Sequence, residues 1–300
     1  MLGWRLFLSS LIVPTLVGLM VWDAHLGASA PVLFVLCLLV GLRASWELLA
    51  LVRRESCDPK YGPVACCVTL LLLATWGPHW LNVADTSELI TWSFPSLSQV
   101  FVACMLVLLV TRVFRFRQPG GHVEGLAFEL LAVTYAGLLL AVTAQLRWLG
   151  NGGNGYLALG SVIVATKMGD IGAYSLGRMF GKRKMAPHLS PGKTWMGAVG
   201  AVLGGVLGAI LWLRFASELL FGLTWKPNWW MPAVLFGAAM GIVGLFGDLA
   251  ESLIKRDVGV KDSATLMPGF GGLLDLLDSV LFTGPVAVVL WQLFLGTHHP

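Results

Sequence analysis

Residues 231–253 read MPAVLFGAAMGIVGLFGDLAESL, with no charged side chain from Met231 to Gly247 and then Asp248 and Glu251 three positions apart. A helix needs roughly 20 mainly apolar residues to cross the hydrocarbon of a bilayer. This run has that length, and in lipid a helix satisfies its own backbone hydrogen bonds. Working outward, apolar runs bounded by Gly, Pro and charge mark nine candidate spans, at 6–22, 31–52, 63–77, 97–113, 125–149, 156–180, 194–213, 231–253 and 272–295. The third is short. Of the 300 residues, 57% are hydrophobic and 12% charged, against about 45–50% and about 25% in soluble chains. A soluble fold of this size cannot hide so much apolar surface. The expected class is therefore all-α, a polytopic transmembrane helical bundle.

Orientation follows from the basic residues. With the N-terminus inside and the connections alternating, the in-facing ends hold Arg5; Arg53, Arg54 and Lys60; Arg112, Arg115 and Arg117; Arg178, Lys182, Arg183, Lys184 and Lys193; and Lys255, Arg256 and Lys261. The out-facing ends keep Arg147, Arg214 and Lys226. That asymmetry sets topology and places a multi-pass protein in a cell inner membrane. Trp225, Trp229 and Trp230 around Pro227 suit an interfacial belt. Gly197, Gly200, Gly204, Gly205 and Gly208 repeat at a spacing that lets helices approach closely, which reads as packing. Arg5, the following apolar run and Ala28-Ser29-Ala30 imitate a cleaved secretory signal, but a retained first helix is the better reading. The five cysteines form no CxxC pair and read as small apolar side chains. No histidine shows ligand spacing, and Arg43 with Glu47, at i and i+4, reads as a structural ion pair.

Charge in or at the edge of a span costs a few kcal/mol, so each such residue needs a partner or a purpose. Asp170, Asp248, Glu251, Asp275 and Asp278 meet that description at the cytoplasmic ends of the last spans. Asp248 and Glu251, like Asp275 and Asp278, are three apart and share a helix face. Carboxylates so placed repel unless protonated, paired with Lys or bound to a cation, and hard oxygen ligands favour magnesium together with substrate phosphates. For Asp248 and Asp275 the metal reading is preferred, with Asp278 as a further ligand candidate. For Glu251, satisfaction by Lys255 or Arg256 is an equal alternative. Between the two pairs lie a basic turn, KRDVGVKDS from Lys255 to Ser263, and a Gly-rich turn, PGFGG from Pro268 to Gly272. Such a turn entering a helix can approach phosphates by backbone N–H groups, with Lys as point charges.

Here the sequence resembles a known family. Gly247–Ser279, read as GDLxESxxKRxxGxKDS followed by PGxGGxxDxxDS, is similar to the signature of the phosphatidate cytidylyltransferases, or CDP-diacylglycerol synthases. DIGAYSLGR from Asp170 to Arg178 resembles a second block of that family, and SPGKT from Ser190 to Thr194 a third, so the likeness covers roughly the second half in the expected order. Three departures stand out: the family commonly has His at Phe270 and Arg at Leu276, and often Lys at Gly192. Each removes a candidate phosphate contact, whereas the acids and Lys193, Lys255, Arg256 and Lys261 are intact.

The resemblance implies a transferase that joins CTP to phosphatidate, giving CDP-diacylglycerol and pyrophosphate for phospholipid biosynthesis. It implies catalytic roles for Asp248, Asp275, Lys255, Arg256 and Lys261, with divalent metal, Mg2+, on Asp248, Asp275 and Asp278; a monovalent cation such as K+ is a further candidate. Substrate contacts would come from Asp170, Tyr174, Arg178, Ser190, Lys193, Thr194, Glu251, Ser252, Asp262, Ser263, Gly269, Gly271 and Gly272. Residues 1–150 would then be scaffold helices with homodimer contacts, and residues 151–300 the catalytic region with its cytoplasmic loops. Partners are CTP, phosphatidate and membrane lipids, with no nucleic acid. The competing readings are a CTP-dependent lipid kinase, a cytidylyltransferase for another lipid phosphate, an inactive scaffold, and an ion-coupled transporter, which would place its acids near the midplane in repeated halves.

Overall fold

The computed structural model describes residues 15–53, 58–81, 95–149, 154–222, 229–260, 263–264 and 271–295. Among them the chain forms nine helices and one hairpin. The helices are α1 (15–25), α2 (Pro31–Val52), α3 (Tyr61–Trp80), α4 (Leu97–Arg115), α5 (His122–Trp148), α6 (Asn154–Phe180), α7 (Trp195–Phe221), α8 (Trp230–Asp257) and α9 (Leu273–Leu290, then a π turn over Trp291–Leu295). Strands β1 (Lys184–Ala186) and β2 (Ser190–Thr194) pair antiparallel, Lys184 opposite Thr194 and Ala186 opposite Ser190. Seven helices, α2 to α5 and α7 to α9, are long and apolar enough to cross a bilayer. The 27-residue α6 is as long but carries Lys167, Asp170 and Arg178. The protein is an all-α polytopic membrane bundle.

Two compact units make up the chain, Met1–Val142 with Asp262–Leu274, and Thr143–Lys261 with Asp275–Pro300. In the first, α3 is the core helix, burying Val64, Cys67, Val68, Leu71, Leu72 and Trp76. It runs past both ends of the expected 63–77. Pro63 falls in the first turn, where a missing N–H costs no bond. At the other end the Trp76 and Trp80 indoles donate to the Ala30 and Ser29 carbonyls at 3.0 and 2.9 Å, which carries the helix past Pro78. Helix α4 starts on a capping box, Ser96 Oγ accepting from the Gln99 N–H and the Gln99 side chain accepting from the Ser96 N–H.

In the second unit the expected glycine stripe of α7 is buried. A Cβ on Gly172 of α6 would lie 2.2 Å from the Gly200 carbonyl oxygen, and one on Gly205 would lie 2.3 Å from that of Gly237 on α8. Backbones this close leave room for hydrogen only, the small-residue packing that membrane helices use where burying apolar surface gives no driving force. Thr194 starts α7 by accepting from the Gly197 N–H at 3.0 Å. Helix α9 joins α8 the same way, since a Cβ on Gly247 would lie 2.8 Å from the Asp278 carbonyl oxygen.

Candidate active site

That last contact brings two acidic helix faces together. On α8, Asp248, Glu251 and Lys255 follow at i, i+3 and i+7 and share a stripe. On α9, Asp278 and Ser279 lie one turn into the membrane from Asp275. Thr166 of α6 and Thr283 of α9 face each other at 3.1 Å, which sets Lys167 and Asp170 beside the same group.

One carboxylate oxygen from each of Asp248, Glu251 and Asp278 lies within 4.8 Å of the others. Glu251 and Asp278 are buried, and Asp248 is half-buried. Lysines surround the three. Lys193 of β2 donates to Asp248 Oδ2 at 2.7 Å and to the Leu245 carbonyl at 3.3 Å. Lys255 bridges Glu251 Oε2 at 2.7 Å and Asp275 Oδ1 at 2.5 Å. Lys167 donates to Asp170 Oδ2 at 3.0 Å and to Ser279 Oγ at 3.1 Å, and Ser279 Oγ donates in turn to Asp170 at 3.3 Å.

Five carboxylates thus face three ammonium groups among the described residues of this unit. In these contacts the carboxylates outnumber the ammonium groups by two. The deficit has a location. Glu251 Oε1 is buried with no hydrogen-bond partner among the described residues, a costly state for a carboxylate oxygen. Three convergent carboxylates with an orphaned buried oxygen are a donor set that fits Mg2+.

Other residues singled out by sequence fall nearby in different roles. Arg256 donates to the Leu189 carbonyl at 3.4 Å and the Val260 carbonyl at 3.0 Å, tying the hairpin to the end of α8. Tyr174 and Arg178 pair with each other on the exposed end of α6, at 2.6 Å. Ser190 opens β2, Thr194 is spent as a cap, and Ser252 is buried on α8. Ser263, Gly271 and Gly272 belong to the first unit, and Lys261, Asp262 and Gly269 lie outside the described residues. Ser279, which joins Lys167 to Asp170, was visible in the sequence only as the last letter of the signature.

The cytidylyltransferase family model matches residues 5–294. The chain is 38% identical over 226 residues to the uncharacterized protein YnbB of Escherichia coli (strain K12), covering 72% of this chain and 71% of that one. It is 35% identical over 250 residues to the phosphatidate cytidylyltransferase of Pseudomonas aeruginosa, covering 82% and 83%. With the enzyme of that name from Mycobacterium bovis it shares 31% over 215 residues, covering 67% of this chain and 65% of the relative's length. A match along almost the whole chain, over a membrane bundle with this carboxylate centre, means that the protein belongs to the cytidylyltransferase family and is a nucleotidyltransferase.

Proposed function

We propose that the protein transfers the cytidylyl group of CTP to phosphatidate at the centre shared by α6, α8 and α9. A phosphate oxygen of the lipid attacks the α-phosphorus of CTP, a new P–O bond forms, the bond to the β-phosphate bridging oxygen breaks, and pyrophosphate leaves. Both reactants are anions, so the protein's task is to neutralise and align them. The observation that carries the reading is the convergence of Asp248, Glu251 and Asp278, one oxygen of each within 4.8 Å of the others, with Glu251 Oε1 lacking a hydrogen-bond partner among the described residues.

Those three carboxylates would hold Mg2+, which when bound supplies charge neutralisation at triphosphate oxygens. On this geometry Glu251 takes the place the sequence favoured for Asp275. Asp275 shares Lys255 with Glu251, so its work is to hold that lysine. Lys193, arriving from the hairpin, sets the rotamer of Asp248. Lys167, through Ser279, sets the turn that carries Asp278. The basic ends of the spans favour a cytoplasmic N-terminus and a site on the cytoplasmic face of the inner membrane.

Membranes carrying the native chain, given phosphatidate and CTP labelled at either the α- or the γ-phosphate, test the reaction. Cytidylyl transfer puts α-label into the lipid, and Asp248→Asn abolishes it. Incorporation of γ-label instead would make the protein a CTP-dependent lipid kinase and refute the proposal.

A further inference from the structure

Glu47, in the last turns of α2, is fully buried. Its Oε1 accepts from Arg43 Nε at 2.9 Å, the ion pair expected from their spacing. Its Oε2 is used differently, accepting from the Leu274 N–H at 2.9 Å and from Ser263 Oγ at 3.4 Å. These contacts lie within the first unit and span more than two hundred positions of sequence. Leu274 is the second residue of α9, so its N–H is one of those that a helix start leaves without an intrahelical partner. Usually the side chain just before the helix fills that role. Here that residue is Gly272, which has none. A Cβ on Gly272 would lie 2.1 Å from Ser263 Oγ and 2.5 Å from Glu47 Oε2. The missing side chain is what admits a carboxylate from another helix, and negative charge is favoured at a helix N-terminus.

We infer that Glu47 is a positioning residue for the transfer reaction: by capping α9 from α2, with Ser263 and Gly272 shaped around it, it fixes the helix start that carries Asp275 and Asp278. The inference rests on the function proposed above for those two acids. Asp275 is the next residue after the capped amide, and Asp278 follows one turn later. A first turn without its cap frays, and both acids then lose their set directions toward Lys255 and the carboxylate group. Glu47 acts through the order of the first turn of α9, whose amide it holds.

The test uses the full chain in lipid nanodiscs, comparing native protein with Glu47→Ala and Glu47→Gln. Hydrogen exchange of residues 272–276 should accelerate about ten- to hundredfold in Glu47→Ala, since a hydrogen bond to a buried charge is lost, while α3 keeps its native exchange. With phosphatidate and CTP, kcat should fall about tenfold or more with the KM for CTP moving less than about threefold, and Glu47→Gln, which keeps an oxygen acceptor, should lie between native and Glu47→Ala. Unchanged exchange at 272–276 in either variant, or faster exchange with a full rate, overturns the inference. If Glu47→Ala fails to fold, the isosteric Glu47→Gln decides by the same two readings. The exchange arm needs no turnover, so an inactive native chain would sink the transferase reading and leave the cap standing.

Discussion

Glu129 and Glu251 are both buried acids on membrane helices, and their surroundings differ. In the first unit, Glu129 Oε1 accepts from Arg112 Nη2 at 2.5 Å and from the Lys60 N–H at 2.7 Å, while Oε2 accepts from Arg112 Nε at 3.0 Å. Both oxygens are occupied. The guanidinium lies so close under α5 that a Cβ on Gly125 would sit 2.4 Å from it. In the second unit, among the described residues, Glu251 has a single lysine, shared with Asp275, and one oxygen without a hydrogen-bond partner in a group of like charges. A buried acid that brings its own donors is part of the scaffold. A set of acids that outnumbers its donors among the described residues is able to take a cation from solution, which the proposed metal and triphosphate site requires.

The largest effect should come from breaking the deficit. Asp278→Asn keeps the shape and removes one of the charges a metal would meet, so kcat should drop about thousandfold, the scale of losing a preorganised charge contact in a transition state. A chelator should silence the native protein, and Mg2+ should restore it. Mg2+ should also raise the thermal midpoint of the native chain but leave Asp278→Asn unmoved. A variant that retains full, chelator-resistant activity would show that the centre is not a metal site.

The opposite experiment belongs to the first unit. Arg112→Met leaves the Glu129 charge buried with only the Lys60 amide, and should destabilise the protein by about 3 kcal/mol, read as a lower thermal midpoint. Adding Glu129→Gln should recover much of that loss. Turnover per folded molecule should stay native in both. Should kcat fall with Arg112→Met while stability holds, the division between a satisfied scaffold and an unsatisfied centre would fail.

The same contrast explains what could be read from the sequence. The spans were legible because an apolar run of bilayer length has one stable fold in lipid, and their ends moved by up to eight residues, α3 running past Pro63 and Pro78 and α7 continuing from 213 to Phe221. The five acids were legible as expensive residues with a purpose. Which of them converge was not, because spacing fixes a face on one helix but not the rotation of one helix against another. Asp275 and Asp278 share a face of α9, yet Lys255 reaches the first and the carboxylate group takes the second. The hairpin 184–194 was illegible for another reason: strands of three and five residues, held by backbone pairing, leave no periodic signal. Nor could periodicity reveal that Glu47 meets Leu274, a contact of tertiary origin.

The hairpin offers the finest cut between held and unheld charge. Lys193 at its end is committed to Asp248, whereas Lys182, Arg183 and Lys184 at its start are exposed and form no ion pair among the described residues. On the proposed cytoplasmic placement, such exposed cations attract anionic headgroups, each by on the order of 1 kcal/mol. Lys182→Gln and Lys184→Gln should therefore each raise the KM for phosphatidate about fivefold in mixed micelles, with kcat unchanged, and the effect should fade in high salt as the charges are screened. Lys193→Gln should do the reverse, lowering kcat with little salt dependence, because its partner is a half-buried acid of the centre rather than a lipid. If the exposed lysines instead reduce kcat and ignore salt, the hairpin takes part in the chemistry, and the line between the committed and the exposed lysines must be redrawn to include it.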